Sequence, residues 1–461
     1  MNLTLAEIAQ AIGGTGIRPD LSSLVAKGVS IDSRTVRSNQ LFFALPGKNT
    51  DGHLYVAAAL RAGACAAVIS NPESRSGLTS EEKARTILVP NTLIALQALA
   101  HSVRQRFNGP VIAVTGSTGK TSTKDILASV LRFKWKVLAS VGSFNNEIGL
   151  PLTLLGLEAN HSAVVLEMAM RGRGQIKELC RIARPTVGLI TNIGMAHMEL
   201  LGSQEAIALA KGELLEGTDA GGFVVLNGDD KWCRRIAKLY PGRIMWYGIG
   251  SPVDIRGKVI DSEIHGSRVE VLTPSWEREF WIGAPGLHNV YNALAAIAVA
   301  WGLGFEPETI EPGLESIALP PMRLQRLTGA SGAQVINDAY NANPDSVKAA
   351  LQFLATIPGD FRIAVLGDML ELGVREEEAH RACGRYAWEV GVNVLVTIGE
   401  RARWIADEAI KVGMKPEKVF WAATWQEARN FLQQFNRPKA IILVKASRAM
   451  QLEKLVDSLV Q

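Results

Sequence analysis

Between Val111 and Lys124 the chain reads VIAVTGSTGKTSTK, and no other stretch restricts its possible folds as strongly. Val111, Ile112, Ala113 and Val114 form an apolar run of the kind buried in a parallel sheet, and Ser122 to Phe133 continues as a helical run. Between them lies Thr115-Gly116-Ser117-Thr118-Gly119-Lys120-Thr121. Strand, glycine loop, lysine, hydroxyl and helix in that order form a phosphate-binding loop. Glycines let backbone N–H groups curl inward, the helix N-terminus adds positive potential, and the lysine brings a mobile charge. Thr121 or Ser122 then offers a hydroxyl to the Mg²⁺ that travels with a nucleotide. The spacing departs from GxxxxGK[ST], because Gly116 precedes Gly119 by only three residues. A tight strand-to-helix turn with a solvated lysine is the competing reading.

The surrounding chain is long enough for such a sheet and more. Its 461 residues imply about three domains, and 47% hydrophobic with 20% charged residues is ordinary globular composition. The net charge of +4 is spread without a basic run, so nucleic acid is not an expected partner, while anionic small molecules are. Cys65, Cys180, Cys233 and Cys383 lie far apart without metal-ligand spacing and read as reduced core thiols. The opening MNLTLAEIAQAIGG lacks the pattern of a signal peptide, and Ala293 to Gly304 is too short to span a bilayer. A cytoplasmic protein without membrane span is expected.

Punctuation divides the chain into residues 1–108, 109–318 and 319–461. Asn108-Gly109-Pro110 and Leu319-Pro320-Pro321-Met322 read as linkers. The first block is a small α/β unit in which Asp32, Ser33 and Arg34 follow a strand; they could grip an anion, although a capped turn with an exposed arginine is the simpler reading. The middle block alternates strands and helices, as in a doubly wound, mostly parallel sheet. Two further strands end in polar residues: Ala163 to Glu167 closes on a carboxylate, and Val187 to Thr191 leads to Asn192 and His197. Ligands of open α/β sheets bind beyond the carboxyl ends of the strands, where Glu167 and His197 can meet the phosphate loop as ligands of a nucleotide-bound metal.

The helix Ser203 to Glu216 carries Ile207, Leu214 and Leu215 on its apolar face, and Lys211 falls inside that stripe. Such a lysine either snorkels to an edge or has chemical work. Burial favours its neutral amine, which can add CO₂ to give an anionic carbamate able to bind a cation. Asn289 and Asn292 stand three apart at a helix start, so both amides can face one ligand such as a purine edge, or simply serve the helix end. In the last block Val335 to Asp338 is a strand ending in Asp, and Asn343-Pro344 is good helix-start chemistry.

The segments TGSTGKTST, SFNNEIGLPLTLL, LEMAM, TNIGMAHMELLGS, ALAKGELLE, GLHNVYNALAA, INDAYNANPDS and GDMLELG occur in this order. Together they resemble the Mur ligases, ATP-dependent amide-bond-forming enzymes of peptidoglycan precursor synthesis. The resemblance spans nearly the whole chain. DAYNANPDS and GDMLELG are most similar to the member that adds D-alanyl-D-alanine to UDP-N-acetylmuramoyl-tripeptide, and the DNPR segment of the diaminopimelate- or lysine-adding member is absent. What the resemblance implies is a P-loop-type central domain between a small N-terminal α/β domain and a Rossmann-like C-terminal α/β domain that closes over ATP and receives the dipeptide. Lys120 and Thr121 would hold ATP phosphates and Mg²⁺. Glu167 and His197 would ligate metal with a carbamylated Lys211. Asn289 and Asn292 would face adenine, and Arg323 and Asp338 would reach the γ-phosphate and ribose. Ser33 and Arg34 match the UDP-sugar site, and Asn145 and Asn146 a loop near the muramoyl peptide. Tyr340, Asn341 and Asn343 would belong to the substrate site of a monomer. Gln175, where relatives often carry Glu, and Ala446, where Gly is expected, depart from the pattern. Another amide ligase of the superfamily and a nucleotide-hydrolysing switch are the alternatives.

Overall fold

The computed structural model describes residues 1–460 except 251, 331, 360, 436 and 437. Its centre is a nine-stranded sheet. From Val137–Ala139 at one edge the order runs Ala163–Glu167, Val111–Thr115, Val187–Ile190, Phe223–Asn227, Arg243–Gly248 and Ile255–Glu263, each parallel to its neighbour. Gly266–Leu272 and Glu277–Ile282 then add antiparallel strands.

Alternation along the strand Val111–Thr115 explains why the sheet is covered on both sides. Successive side chains point to opposite faces. Ile112 and Val114 pack with Ile126, Leu127 and Leu294, from the helices Lys120–Arg132 and Leu287–Gly302. Val111 and Ala113 pack with Ile176 and Ile207, from Gln175–Ala183 and Gln204–Gly217. A strand buried on both faces reads as a continuous apolar run, as this one does.

The N-terminal parallel sheet comprises Val29–Ser30, Leu41–Phe43, Ala66–Ile69 and Thr86–Leu88. It is not an isolated unit. Leu96, Leu99 and Val103 of the helix Thr92–Gln105 belong to the same apolar core as Leu154 and Ile182 of the central region. The buried Arg104 fastens this joint: Nε donates to Ala183 O at 2.7 Å, Nη2 to Arg184 O at 2.9 Å and Nη1 to Phe107 O at 2.7 Å.

The C-terminal sheet orders Gln325–Thr328, Gln334–Asn337, Ala440–Lys445, Phe361–Gly367, Val394–Ile398 and Val419–Ala422, parallel except for its first strand. Its two apolar cores are built from its own residues, and Ile264 at the tip of the antiparallel arm packs against one of them. Beside it Arg326 Nη1 donates to His265 Nδ1 at 2.9 Å. Residues 317–324, around the expected Pro-Pro linker, form neither helix nor strand.

The doubly wound centre and both flanking α/β regions follow the expectation. The antiparallel arm does not, because its strands alternate polar and apolar residues, as a sheet with one wet face requires, and lack the continuous apolar runs of the parallel strands. Among the described residues no helix is long and apolar enough to cross a membrane.

Candidate active site

The phosphate loop is shaped by glycine and clamped by its neighbour. Gly119 has φ +78°, and a Cβ there would lie 2.5 Å from Asn292 Oδ1. Gly116 is equally constrained, since a Cβ would run into the Thr191 hydroxyl. Thr191 Oγ1 donates to Thr118 O at 2.6 Å, while Asn192 accepts the Thr118 N–H through Oδ1 at 3.0 Å and the Ser117 N–H through its carbonyl at 2.9 Å. The strand after the one bearing the loop thus holds the loop open. Thr115 is buried beneath it and donates to Met168 O at 2.8 Å. Gly119→Ala adds a methyl to this left-handed, crowded position, and the KM for ATP should rise about tenfold in steady-state assays.

Two lysines converge under the loop. Lys120 Nζ donates to Gly116 O at 2.7 Å, and Lys211 Nζ donates to the same carbonyl at 2.9 Å. Lys211 is 1% exposed. Burial pushes its ammonium well below the ordinary lysine value, and the Lys120 charge pushes it further. Burial also lowers Lys120, opposed by Glu167 and reinforced by Arg323. Lys211 therefore does not snorkel out of the apolar stripe but sits under the loop as an amine that favours its neutral form.

Glu167 closes its strand at 2% exposure. Its Oε1 accepts the Asn145 side-chain amide at 2.7 Å, while Oε2 is buried without a hydrogen-bond partner. An orphaned carboxylate oxygen beside a phosphate loop suits a cation ligand. His197 caps the short helix Met198–Leu201 in a left-handed conformation at φ 65°, and its Nδ1 pairs with Glu371 Oε2 at 2.8 Å. Burial, then Lys211 and Lys120, lower its pKa. Among the described residues no three His, Cys, Asp or Glu side chains converge as a metal cage. A cation here would rely on mixed ligands such as the Thr121 hydroxyl, Glu167 and His197.

The C-terminal region roofs this floor. Arg323 Nη2 donates to Thr121 Oγ1 at 3.1 Å, and its guanidinium lies 4.2 Å from the Tyr340 ring centroid. Asp338 Oδ2 pairs with the buried Lys445 ammonium at 2.6 Å, which also donates to Asn341 O at 3.0 Å. Lys445, a lysine closing the apolar strand AIILVK, is a site residue the sequence reading passes over, although its position is the same signal that marked Glu167. Asn343 accepts the Ser346 N–H at 2.9 Å as the helix N-cap that Asn-Pro foretells.

A cavity of about 1680 Å³ lies between floor and roof. It brings together Ser117, Thr118, Gly119, Lys120, Thr121, Ser122, Asn145, Asn146, Glu167, His197, Asn289, Asn292, Arg323, Asp338, Tyr340, Asn341 and Asn343. Thr115, Gly116 and Lys211 are outside that lining, with Lys211 buried under the loop. Asn289 and Asn292 line it with their amides joined to each other at 3.0 Å, and Thr123 also donates to Asn292 Oδ1 at 3.1 Å, so a ligand meets a pre-bonded pair instead of two free amides. Ser33 and Arg34 are not brought to the cavity. The Arg34 guanidinium is exposed and paired with Asp32 at 2.7 Å, which is the capped-turn alternative. Of the two departures, Gln175 Oε1 accepts the Arg171 and Gly172 N–H groups at 2.6 and 3.2 Å, and the Ala446 methyl is buried against Gly367.

A glycine phosphate loop on a parallel sheet, two buried lysines, an orphaned carboxylate and an arginine reaching over from another sheet define a nucleotide-handling enzyme of three α/β domains. The chain belongs to the Mur ligase family. Residues 25–104 match the family's catalytic domain, 114–300 its middle domain and 322–448 its glutamate ligase domain. The chain is 38% identical over 462 residues to UDP-N-acetylmuramoyl-tripeptide–D-alanyl-D-alanine ligase of Bacillus subtilis, covering 99% of this chain and 98% of that protein. Among solved structures it is similar to MurF of Acinetobacter baumannii, with a TM-score of 0.90 at 31% identity over 100% and 99% of the two chains. It is likewise similar to MurF ligase of Thermotoga maritima in complex with ADP, with a TM-score of 0.81 at 28% identity over 94% and 96%.

Proposed function

We propose that this chain joins D-alanyl-D-alanine to UDP-N-acetylmuramoyl-tripeptide at the expense of ATP, releasing ADP and phosphate. The observation that carries the reading is the single cavity in which the loop lysine, the orphaned carboxylate of Glu167 and the roofing Arg323 meet. The near full-length likeness to ligases named for this reaction supports it, as does the ADP in a related structure.

The chemistry follows from charge. A carboxylate is a poor electrophile, so its oxygen first attacks the γ-phosphorus of ATP, ADP leaves, and an acyl phosphate forms. The dipeptide amine then attacks the acyl carbon, inorganic phosphate departs with the C–O bond pair, and the amine loses its proton. Lys120 and Arg323 offset the charge on the transferring phosphoryl group, and the roof keeps water from the acyl phosphate. Mg²⁺ bound by Thr121, Glu167, His197 and a carbamylated Lys211 would add charge neutralisation there. Asn289 and Asn292 would face adenine, Asp338 the ribose, Asn145 and Asn146 the muramoyl peptide, and Tyr340, Asn341 and Asn343 the substrate side of the last domain. Ser33 and Arg34 are assigned to the UDP-sugar by motif likeness. We place the domain boundaries after residues 108 and 318, and the enzyme in the cytoplasm as a monomer.

Phosphate release from ATP, measured with UDP-muramoyl-tripeptide and with or without D-alanyl-D-alanine, tests the proposal. Release that needs both, with a pentapeptide product by mass, is expected. A response to a different amine would move the chain elsewhere among the amide ligases, and release needing neither substrate would favour a nucleotide switch.

A further inference from the structure

Arg171 and Arg173 line the same cavity, on the loop that follows the strand ending at Glu167. Both are exposed, and neither guanidinium has a hydrogen-bond or ion-pair partner among the described residues. Other exposed arginines of this chain do have a carboxylate, as Arg18 has Asp20, Arg34 has Asp32 and Arg235 has Glu205, whereas these two have none. The nearby Glu178 is already paired with Arg181 at 3.4 Å. The loop itself is held firmly. Gln175 Oε1 accepts the Arg171 and Gly172 N–H groups, and Glu213 accepts the Gly174 N–H at 2.6 Å and the Lys177 N–H at 3.1 Å. Glu213 sits in the helix Gln204–Gly217 that also bears Lys211, so the backbone of the arginine loop is registered to the reacting centre. Two unpaired guanidinium groups on a fixed backbone cost side-chain freedom once engaged, and forked donors of this kind match a carboxylate.

Resting on the proposed ligase reading, we propose that Arg171 and Arg173 select the third residue of the tripeptide by binding a carboxylate at the far end of its side chain. The enzyme thus prefers diaminopimelate over lysine at that position. The geometry of the chain supports the placement. Arg171 is four residues beyond Glu167, which limits their Cα separation to about 14 Å. The carboxyl group to be activated belongs to this same third residue, so the end of its side chain lies within arginine reach of the reacting centre. Diaminopimelate ends in a carboxylate and an ammonium, whereas lysine ends in an ammonium alone. Two free cations favour the first and repel the second, and specificity arises from both effects.

The test compares kcat/KM for the diaminopimelate and lysine tripeptides in the wild type, Arg171→Met, Arg173→Met and Arg173→Glu. The wild type should favour diaminopimelate by about tenfold or more, the worth of one charge-assisted contact. Each Met variant should lose most of that preference through KM for the diaminopimelate substrate, and Arg173→Glu should improve the lysine substrate. Diaminopimelate amidated at its distal carboxyl should behave like lysine with the wild type. Equal losses on both substrates would overturn the inference, because the arginines would then serve a group common to both, such as the glutamyl carboxylate or the diphosphate. An unchanged ratio would overturn it too. Wild-type protein inert on both tripeptides would instead overturn the ligase reading, and the inference with it.

Discussion

Lys211→Met is expected to give a protein at least as heat-stable as the wild type at pH 7 and slower by about 10³-fold in ATP-dependent ligation. The two effects share one cause. In the unfolded chain this lysine is protonated below its ordinary value near 10.5, whereas burial in the folded protein drives it toward the neutral amine. The unfolded state therefore binds more protons, so folding stability rises with pH through the window between the lowered folded value and 10.5 and falls as the solution is acidified. Methionine removes that cost and keeps the apolar stem. It also orphans nothing, because Gly116 O still accepts Lys120 at 2.7 Å. Thermal melts of metal- and nucleotide-free protein from pH 6 to 9 should show the variant's advantage growing toward low pH. A variant that melts well below the wild type would mean that Lys211 is an integral charged strut. One that keeps its activity would rule out the proposed role of Lys211 in holding a cation.

Lys120→Met should fold normally and lose about 10³-fold in kcat, with ADP affinity reduced by less. The Lys120 ammonium rests on the loop's own carbonyls, Gly116 O at 2.7 Å and Ser117 O at 3.4 Å. Those contacts hold a charge ready without building the fold. Its value should appear where phosphoryl charge develops, so kcat is the informative parameter. A rise in KM alone, at unchanged kcat, would demote Lys120 to uniform nucleotide binding. Isothermal titration with ADP beside single-turnover ligation separates the two.

The parts of the site that sequence could reveal are those in which one residue violates a local pattern. Lys211 breaks an apolar stripe, and Glu167 ends an apolar strand with charge. Gly119 and Lys120 open a helix directly after a buried strand. Each exception is visible within about one helical turn or strand length. What stayed hidden depends on partners distant in sequence. The loop clamp by Thr191 and Asn192 looks like an ordinary strand end until the two strands lie side by side. The pairing of Asn289 with Asn292 changes what a ligand meets, and no spacing rule says whether such amides are free. Arg34 pairs with Asp32 two residues away, and no local spacing says whether that exposed guanidinium also serves an anion. The antiparallel arm is hard to read from sequence because one wet face gives weaker patterning than two dry ones.

The joints between the three sheets are of two kinds. The first region shares an apolar core with the centre and is stitched to it by Arg104, whereas the last meets the phosphate loop through Arg323–Thr121 and the central domain through Glu371–His197. Prying apart the first joint exposes a shared hydrocarbon core to water, whereas opening the second uncovers Ile264 and otherwise largely exchanges polar partners for solvent. The enzyme thus behaves mechanically as a two-piece object, with a single heavy body and one light jaw. Salt and water activity should therefore bear more heavily on the second joint than on the first.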